Sequence, residues 1–398
     1  MSLSVGFVLA VLAVAAFAGP LLGEVLGVPG AVVEIVAGLA LSTVIPAADW
    51  RTGSPVATLG SLGFYLLMFL VGAELSFGDI WREARSALLV GVALIALTLL
   101  VSALVMGRVA GASRLWVLSG AAVSIGIAAP VLHALGRDGS RTSRDVLVVG
   151  TVAETTYLVV LTALAVASHR SLSVATDLLV ARAAALVIFA IVLVRVLRRV
   201  RQRTPHHFHR WFRRDDPVEV GLRGTFALLF VVIAFANLVH IPTVLGALLA
   251  GLLFRQVFGR ARGIVERVSG VANAFFIPLF FLTVGLSTQV GRGVVSLLPT
   301  IGLLLVVLAV PRLTLIAYLR WRGHSGRDAL GGALLLMAPL TVLITTAEIG
   351  SQAGLVGPRN AAAMVLAATI SAVIYPALAR RLLRLPEADA PGPELPSR

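Results

Sequence analysis

From Leu3 to Leu383 the chain is a succession of apolar runs, each close to the length that crosses a bilayer. A spanning helix needs about twenty mostly apolar residues, and within hydrocarbon its backbone polar groups must bond to one another. That pattern alone restricts the chain to an all-α polytopic membrane protein. Division at the polar and Gly/Pro punctuation predicts about thirteen transmembrane helices. Charged residues make up only 13% of the chain, against about 25% in soluble domains, too few to cover a water-facing surface. Soluble enzymes, disordered scaffolds and disulfide-stapled domains are thereby excluded. The first run has no basic leader and is followed at once by further apolar sequence, so it reads as a first span rather than a signal peptide. With no cysteine, thiolate catalysis, thiolate metal sites and disulfides are excluded together, and neither a cofactor nor a metal centre is expected.

All 33 basic residues are arginines, and their placement orients the chain. If the N-terminus lies outside, the inner connections carry Arg82, Arg85, Arg137, Arg141, Arg144, the run from Arg195 to Arg214, Arg223, Arg255 to Arg267, Arg320 to Arg327 and the C-terminal arginines. The outer connections carry only Arg51, Arg108, Arg114, Arg170, Arg292 and Arg359. The positive-inside rule then predicts a multi-pass protein of the cytoplasmic (inner) membrane, N-terminus outside and C-terminus inside. The net charge of +14 is accounted for by that asymmetry, so no nucleic-acid partner is expected. His206, His207 and His209 lie in the basic segment Arg201 to Asp216, where a metal or pH role is conceivable. The plainer reading is a solvated segment lying on anionic headgroups.

The chain also repeats itself. Pro29-Gly30-Ala31-Val32 leads into Ala37-Gly38-Leu39, as Pro242-Thr243-Val244-Leu245 leads into Ala250-Gly251-Leu252, and Val71-Gly72 returns as Val284-Gly285 at the same offset of 213 residues. Seven predicted helices separate the copies, an odd number, so the second copy is inverted in the membrane. Inverted repeats are the mark of secondary transporters that open a midplane site to each side in turn. The expected organisation is a first half over 1–200, a basic linker over 201–217, a second half over 218–384 and a tail over 385–398.

Charges deep in a span cost roughly 2.5–3.5 kcal/mol each on insertion scales, so each is a functional candidate. Glu154 lies near the centre of the sixth span (145–167) and Arg312 deep in the eleventh (295–319). They are natural partners, as the ion- or proton-binding carboxylate and its counter-charge, or else as a fixed ion pair joining two helices. The fifth span (115–135), with Ser124, Gly126 and Pro130, suits a helix that unwinds mid-membrane. The twelfth (328–350) carries Pro339 where the offset maps Gly126, so two broken helices are expected to cross beside Glu154. Glu34, Glu74 and Glu348 sit nearer helix ends, where each either lines an access funnel for cations or pairs with a loop arginine. Asp177 and Arg182 read as structural, and Asn237 and Asn273 as interhelical hydrogen-bond formers.

With these pieces placed, the sequence resembles the bacterial sodium/proton and potassium/proton antiporters of the second cation:proton antiporter family over nearly its whole length. The likeness rests on Pro29 to Leu41, Leu67 to Leu75, Leu245 to Leu253 and Phe276 to Leu286. It implies thirteen helices with inverted repeats, a homodimer, and a core with two crossed broken helices that moves like an elevator. The site departs from the family pattern. Adjacent acids or Asn-Asp are usual where Ala153-Glu154 stands, lysine is common at Arg312, and Arg-Gly-Glu is frequent where Pro339-Leu340-Thr341 stands.

On this reading Glu154 binds either a proton or a monovalent cation, with Ser124, Thr155 and unwound carbonyls as further oxygen ligands. Arginine does not release its proton, so Arg312 is a fixed counter-charge. One titrating carboxylate predicts electroneutral exchange of sodium or potassium for a proton. Two alternatives stay open at this stage: export of a larger apolar or cation-complexed metabolite, and a repurposed membrane enzyme with Glu154 as acid or base.

Overall fold

The computed structural model describes residues 5–45, 54–74, 85–106, 114–137, 140–167, 175–203, 219–239, 241, 243–258, 262–288, 294–309, 312–352 and 354–383. The elements described are all helical: α1 Val5–Leu26, α2 Gly30–Leu41, α3 Pro55–Glu74, α4 Arg85–Met106, α5 Arg114–Ser119, α6 Ala128–Ala134, α7 Arg141–Ala167, α8 Ala175–Arg203, α9 Val220–Leu238, α10 Thr243–Phe258, α11 Arg262–Val271, a π-turn Ala272–Phe276, α12 Ile277–Ser287, α13 Val294–Ala309, α14 Arg312–Trp321, α15 Gly326–Leu335, α16 Leu340–Gln352 and α17 Pro358–Leu383. Seven helical stretches among the described residues are long and apolar enough to cross a membrane. The linker histidines and the tail beyond Leu383 lie outside the described residues.

The chain divides into two compact units, and each draws on both sequence halves. The first comprises Met1–Leu22, Val33–Phe77 and Thr162–Ser287. Its helices approach through glycine. A β-carbon on Gly38 would overlap the Leu282 carbonyl, and one on Gly285 the Ile35 carbonyl; Gly72 and Gly251 stand in the same relation to the Leu248 and Phe69 carbonyls. Gly38 thus packs on Gly285 and Gly72 on Gly251, each glycine touching the repeat counterpart of the other pair. Apolar side chains gain little by leaving lipid for one another, so such small-residue contacts carry the packing. Gly72→Ala and Gly285→Ala each force two backbones apart and should destabilise by about 3 kcal/mol. Gly302→Ala meets nothing within 4 Å and should be neutral. Thermal melting of the detergent-extracted protein checks both.

The π-turn in this unit has a local cause. Pro278 lacks an N–H, and its ring would clash with the carbonyl four residues back, Ala274, which lies in the widened turn. Asn273 donates to Ser269 of its own helical stretch at 2.8 Å, which corrects the expectation of an interhelical bond. Glu34 is buried here, its side chain lying against Gly19 of α1.

The second unit comprises Gly23–Val32, Gly78–Leu161 and Thr288–Arg398. Two of its spans are interrupted. One runs α5, an unwound stretch over 120–127, then α6; the other runs α15, a break over 336–339, then α16. Pro130 falls in the first turn of α6, where a missing N–H is tolerated, and Pro339 directly precedes α16.

Polar side chains tie the α6–α7 and α14–α15 connections of this unit together. Arg137 and Asp328 form a buried pair at 2.7 Å. His324 bonds Asp145 at 2.8 Å through Nε2 and Thr142 at 3.0 Å through Nδ1, while Arg322 grips both Asp145 oxygens at 3.2 Å. The neighbouring Asp145 carboxylate holds the Arg322 guanidinium above its ordinary pKa. Ser325 caps α15 by accepting the Asp328 N–H at 3.1 Å.

Candidate functional site

The unwound stretch 120–127 exists because its residues do little to hold a helix: Gly120 and Gly126 favour no helix, and Ser124 bonds locally instead. Unwinding leaves backbone groups without helical partners, and two buried charges meet them. The Glu154 carboxylate, 6% exposed on α7, accepts the Ile125 N–H at 2.9 Å through Oε2 and the Ser124 hydroxyl at 3.1 Å through Oε1. Arg312, fully buried at the start of α14, donates through Nη2 to the Ala122 carbonyl and, at 3.2 Å, to the Leu336 carbonyl.

These contacts give each charge a distinct task. Carbonyls at the C-terminal ends of helices carry partial negative charge, and Ala122 and Leu336 lie just past the ends of α5 and α15. One guanidinium therefore neutralises both interrupted helices where they cross. Glu154 holds an N–H of the same unwound stretch. The sequence suggests the two charges as partners of each other; their described hydrogen bonds run instead from Glu154 to Ser124 and Ile125 and from Arg312 to the Ala122 and Leu336 carbonyls. The Nε and Nη1 atoms of Arg312 are buried without a hydrogen-bond partner among the described residues.

Two hydroxyls complete the cluster. Ser124 Oγ also accepts the Gly126 N–H at 3.2 Å and lies 3.2 Å from Thr341 Oγ1, in the first turn of α16. Gly126 is exposed and Thr341 half-buried, whereas Ser124 and Glu154 are buried. A β-carbon on Gly126 would lie 3.4 Å from Ser124 Oγ and 3.7 Å from Thr341 Oγ1, ordinary contact distances. Gly126→Ala should therefore fold normally, with its methyl against the two hydroxyls of the Glu154 cluster. Any exchange activity in proteoliposomes should fall by roughly 10²-fold with the melting temperature unchanged.

Other candidates lie elsewhere. Thr155, one residue beyond Glu154, donates to the Thr151 carbonyl of its own helix at 2.7 Å. Glu348 lies on α16, half-buried, two turns beyond Thr341. Glu74 ends α3, and its side chain lies outside the described residues, as do those of Asp177 and Arg182. Sequence reasoning passed over Thr341, and also Tyr157, whose hydroxyl meets Thr346 at 2.7 Å and joins α7 to α16. The signal for Thr341 was its place two residues after the helix breaker Pro339.

Carboxylate, hydroxyl and carbonyl oxygens are hard donors that suit a hard cation or a proton. Fold and site together define a helical membrane protein with, among the described residues, one buried carboxylate at the crossing of two interrupted helices. The sequence pattern of the transmembrane sodium/hydrogen exchangers matches residues 12–385, and the chain belongs to that family. It is 25% identical to a Bacillus subtilis protein described as a putative Na⁺/H⁺ antiporter, YjbQ, over 95% of this chain and 63% of the relative. It is 26% identical to the Na⁺/H⁺-K⁺ antiporter GerN of Bacillus cereus over 66% of each. The chain thus spans just under two thirds of the length of both relatives. The fold matches the sodium proton antiporter MjNhaP1 of Methanocaldococcus jannaschii with a TM-score of 0.62 at 17% identity, covering 95% of this chain and 98% of that one.

Proposed function

We propose that the protein exchanges sodium or potassium for a proton across the cytoplasmic membrane by alternating access, with one ion or one proton held at Glu154. The observation that carries this reading is the position of that carboxylate, buried at the crossing and bonded to Ser124 and Ile125 of the unwound stretch. Family membership and the names of the relatives support the substrate class. Arg312 keeps its charge and takes no part in proton traffic. A single titrating group carries either one proton or one monovalent cation, so net charge does not move.

The arginine asymmetry supports an outer N-terminus and an inner C-terminus. The reciprocal glycine contacts support inverted repeats, since a two-fold axis that relates Gly38 to Gly251 and Gly285 to Gly72 carries one contact onto the other. The exposed apolar face of α1, with Val14, Phe17 and Val25, suits lipid or the second protomer of a homodimer.

The test is dissipation of a pH gradient in tight proteoliposomes on addition of sodium or potassium. Electroneutral exchange should run at one rate whether the membrane potential is clamped at zero or at 100 mV, since moving a net charge would add about 2.3 kcal/mol. No cation-dependent dissipation, in vesicles shown to be tight and loaded, overturns the reading.

A further inference from the structure

The hydrogen bonds around Glu154 show which hydroxyl oxygen remains to meet a cation. Ser124 donates its one proton to Glu154 Oε1, and its oxygen faces the Gly126 N–H at 3.2 Å and Thr341 Oγ1 at 3.2 Å. Because the Ser124 proton is committed, the Thr341 hydroxyl must be the donor of the bond between them. Ser124 Oγ then accepts two bonds and donates one, which exhausts a hydroxyl oxygen. Thr341 Oγ1 has donated its proton inward, and among the described residues its own two lone pairs are left over.

The backbone explains why this threonine differs from its neighbours. Thr151, Thr155, Thr156, Thr345 and Thr346 each donate to the carbonyl four residues back. For Thr341 that carbonyl belongs to Met337, in the break before α16, and the hydroxyl's described bond goes to Ser124. Thr341 is also the half-buried member of the cluster, whereas Ser124 is buried.

We propose that Thr341 supplies a ligand oxygen to the transported cation from the second interrupted helix, while Ser124 positions Glu154 rather than ligating. This rests on the exchange reading above and extends it to a residue on the opposite broken helix. The arrangement also couples ligand to proton. With Glu154 ionised, the chain Thr341 to Ser124 to Glu154 points inward and the lone pairs of Thr341 face the approaching ion. With Glu154 protonated, its own O–H donates to Ser124, which turns to donate to Thr341. One of the Thr341 lone pairs is then occupied, and its proton points at the ion path. Protonation of the carboxylate thus closes two oxygens to the cation at once.

The native chain has no cysteine, so Thr341→Cys carries the only thiol and can be tested without transport. In membrane vesicles at alkaline pH, a small methanethiosulfonate reagent should modify that thiol, and saturating sodium or potassium should slow modification about tenfold. Equal rates with and without sodium, potassium and lithium overturn the proposal, as does a thiol that never reacts. In proteoliposomes Thr341→Val should raise the cation KM about tenfold with kcat within about twofold, the loss expected for one oxygen contact to a charge, and Thr341→Ser should restore it. An unchanged KM in Thr341→Val, or an equal defect in Thr341→Ser, assigns the residue to packing alone. Absence of exchange in the wild type, with cation protection of the thiol retained, overturns the exchange reading and leaves the ligand assignment standing.

Discussion

Glu154→Gln should abolish the proposed cation-dependent proton exchange while the protein still folds and inserts. The amide fills the same space, and its carbonyl oxygen still accepts from Ser124 or from the Ile125 N–H, the two bonds that the carboxylate makes at 3.1 and 2.9 Å. What disappears is the negative charge and the ability to hold a proton, and neither Ser124 nor Thr341 replaces them. The expected outcome in proteoliposomes is a rate indistinguishable from empty vesicles, with an unchanged melting curve. Residual exchange above about 1% of wild type would mean a second carrier group, since a general proton-transfer role contributes about 10²–10⁴-fold.

The same site dictates the pH dependence. On the proposed exchange reading, proton and cation compete for one carboxylate, so the rate should fall as pH falls, because protonated Glu154 would not hold a cation. By mass action, each tenfold rise in sodium or potassium should move the acid limb down by about one pH unit. Initial rates over a grid of pH and cation concentration measure this directly. A limb that stays in place as the cation rises would show that proton and cation occupy separate groups.

Arg312→Met is the second substitution with a large expected effect, and it acts on the fold before it acts on the ion. The guanidinium is fully buried and bonded to the Ala122 and Leu336 carbonyls at the ends of two interrupted helices. Methionine has similar bulk but leaves both carbonyls without that donor, in a setting where water is scarce. Leaving a buried carbonyl unsatisfied costs about 1–3 kcal/mol, and two are left here, so the extracted protein should lose monodispersity or melt well below wild type. Arg312→Lys should recover part of this, since an ammonium keeps the charge but not the planar fork. Wild-type stability in Arg312→Met would show that the crossing does not depend on this charge.

Much of this protein was legible before any coordinates. The spans, the two breaks and the two expensive charges could all be found because the bilayer penalises departures from an apolar helix so heavily. Pro339 and the Gly126 region marked the interruptions, and Glu154 and Arg312 marked the site. The repeat offset that relates Gly38 to Gly251 and Gly72 to Gly285 was visible as well. The contacts those glycines make were not, because each packs on the counterpart of the other, a relation that exists only in three dimensions. The Asp145, His324 and Arg322 cluster was hidden for the same reason, as its parts belong to connections far apart in the chain. In the sequence they are only charges near span ends.

The hydroxyls draw the clearest line between the two levels. Composition and position nominate Ser124 and Thr155, as polar oxygens within interrupted or charge-bearing spans, and pass over Thr341. Tertiary structure separates them. Thr155 is turned onto its own helix, Ser124 is saturated by three partners, and the Thr341 hydroxyl bonds Ser124 instead of its helix carbonyl. The sequence by itself determined the membrane fold, the interruptions and the carboxylate, since these follow from the cost of polar groups in lipid. Only the crossing of the two broken helices decided which oxygens face that carboxylate, because the direction of a hydrogen bond is set by neighbours in space and not by neighbours in the chain.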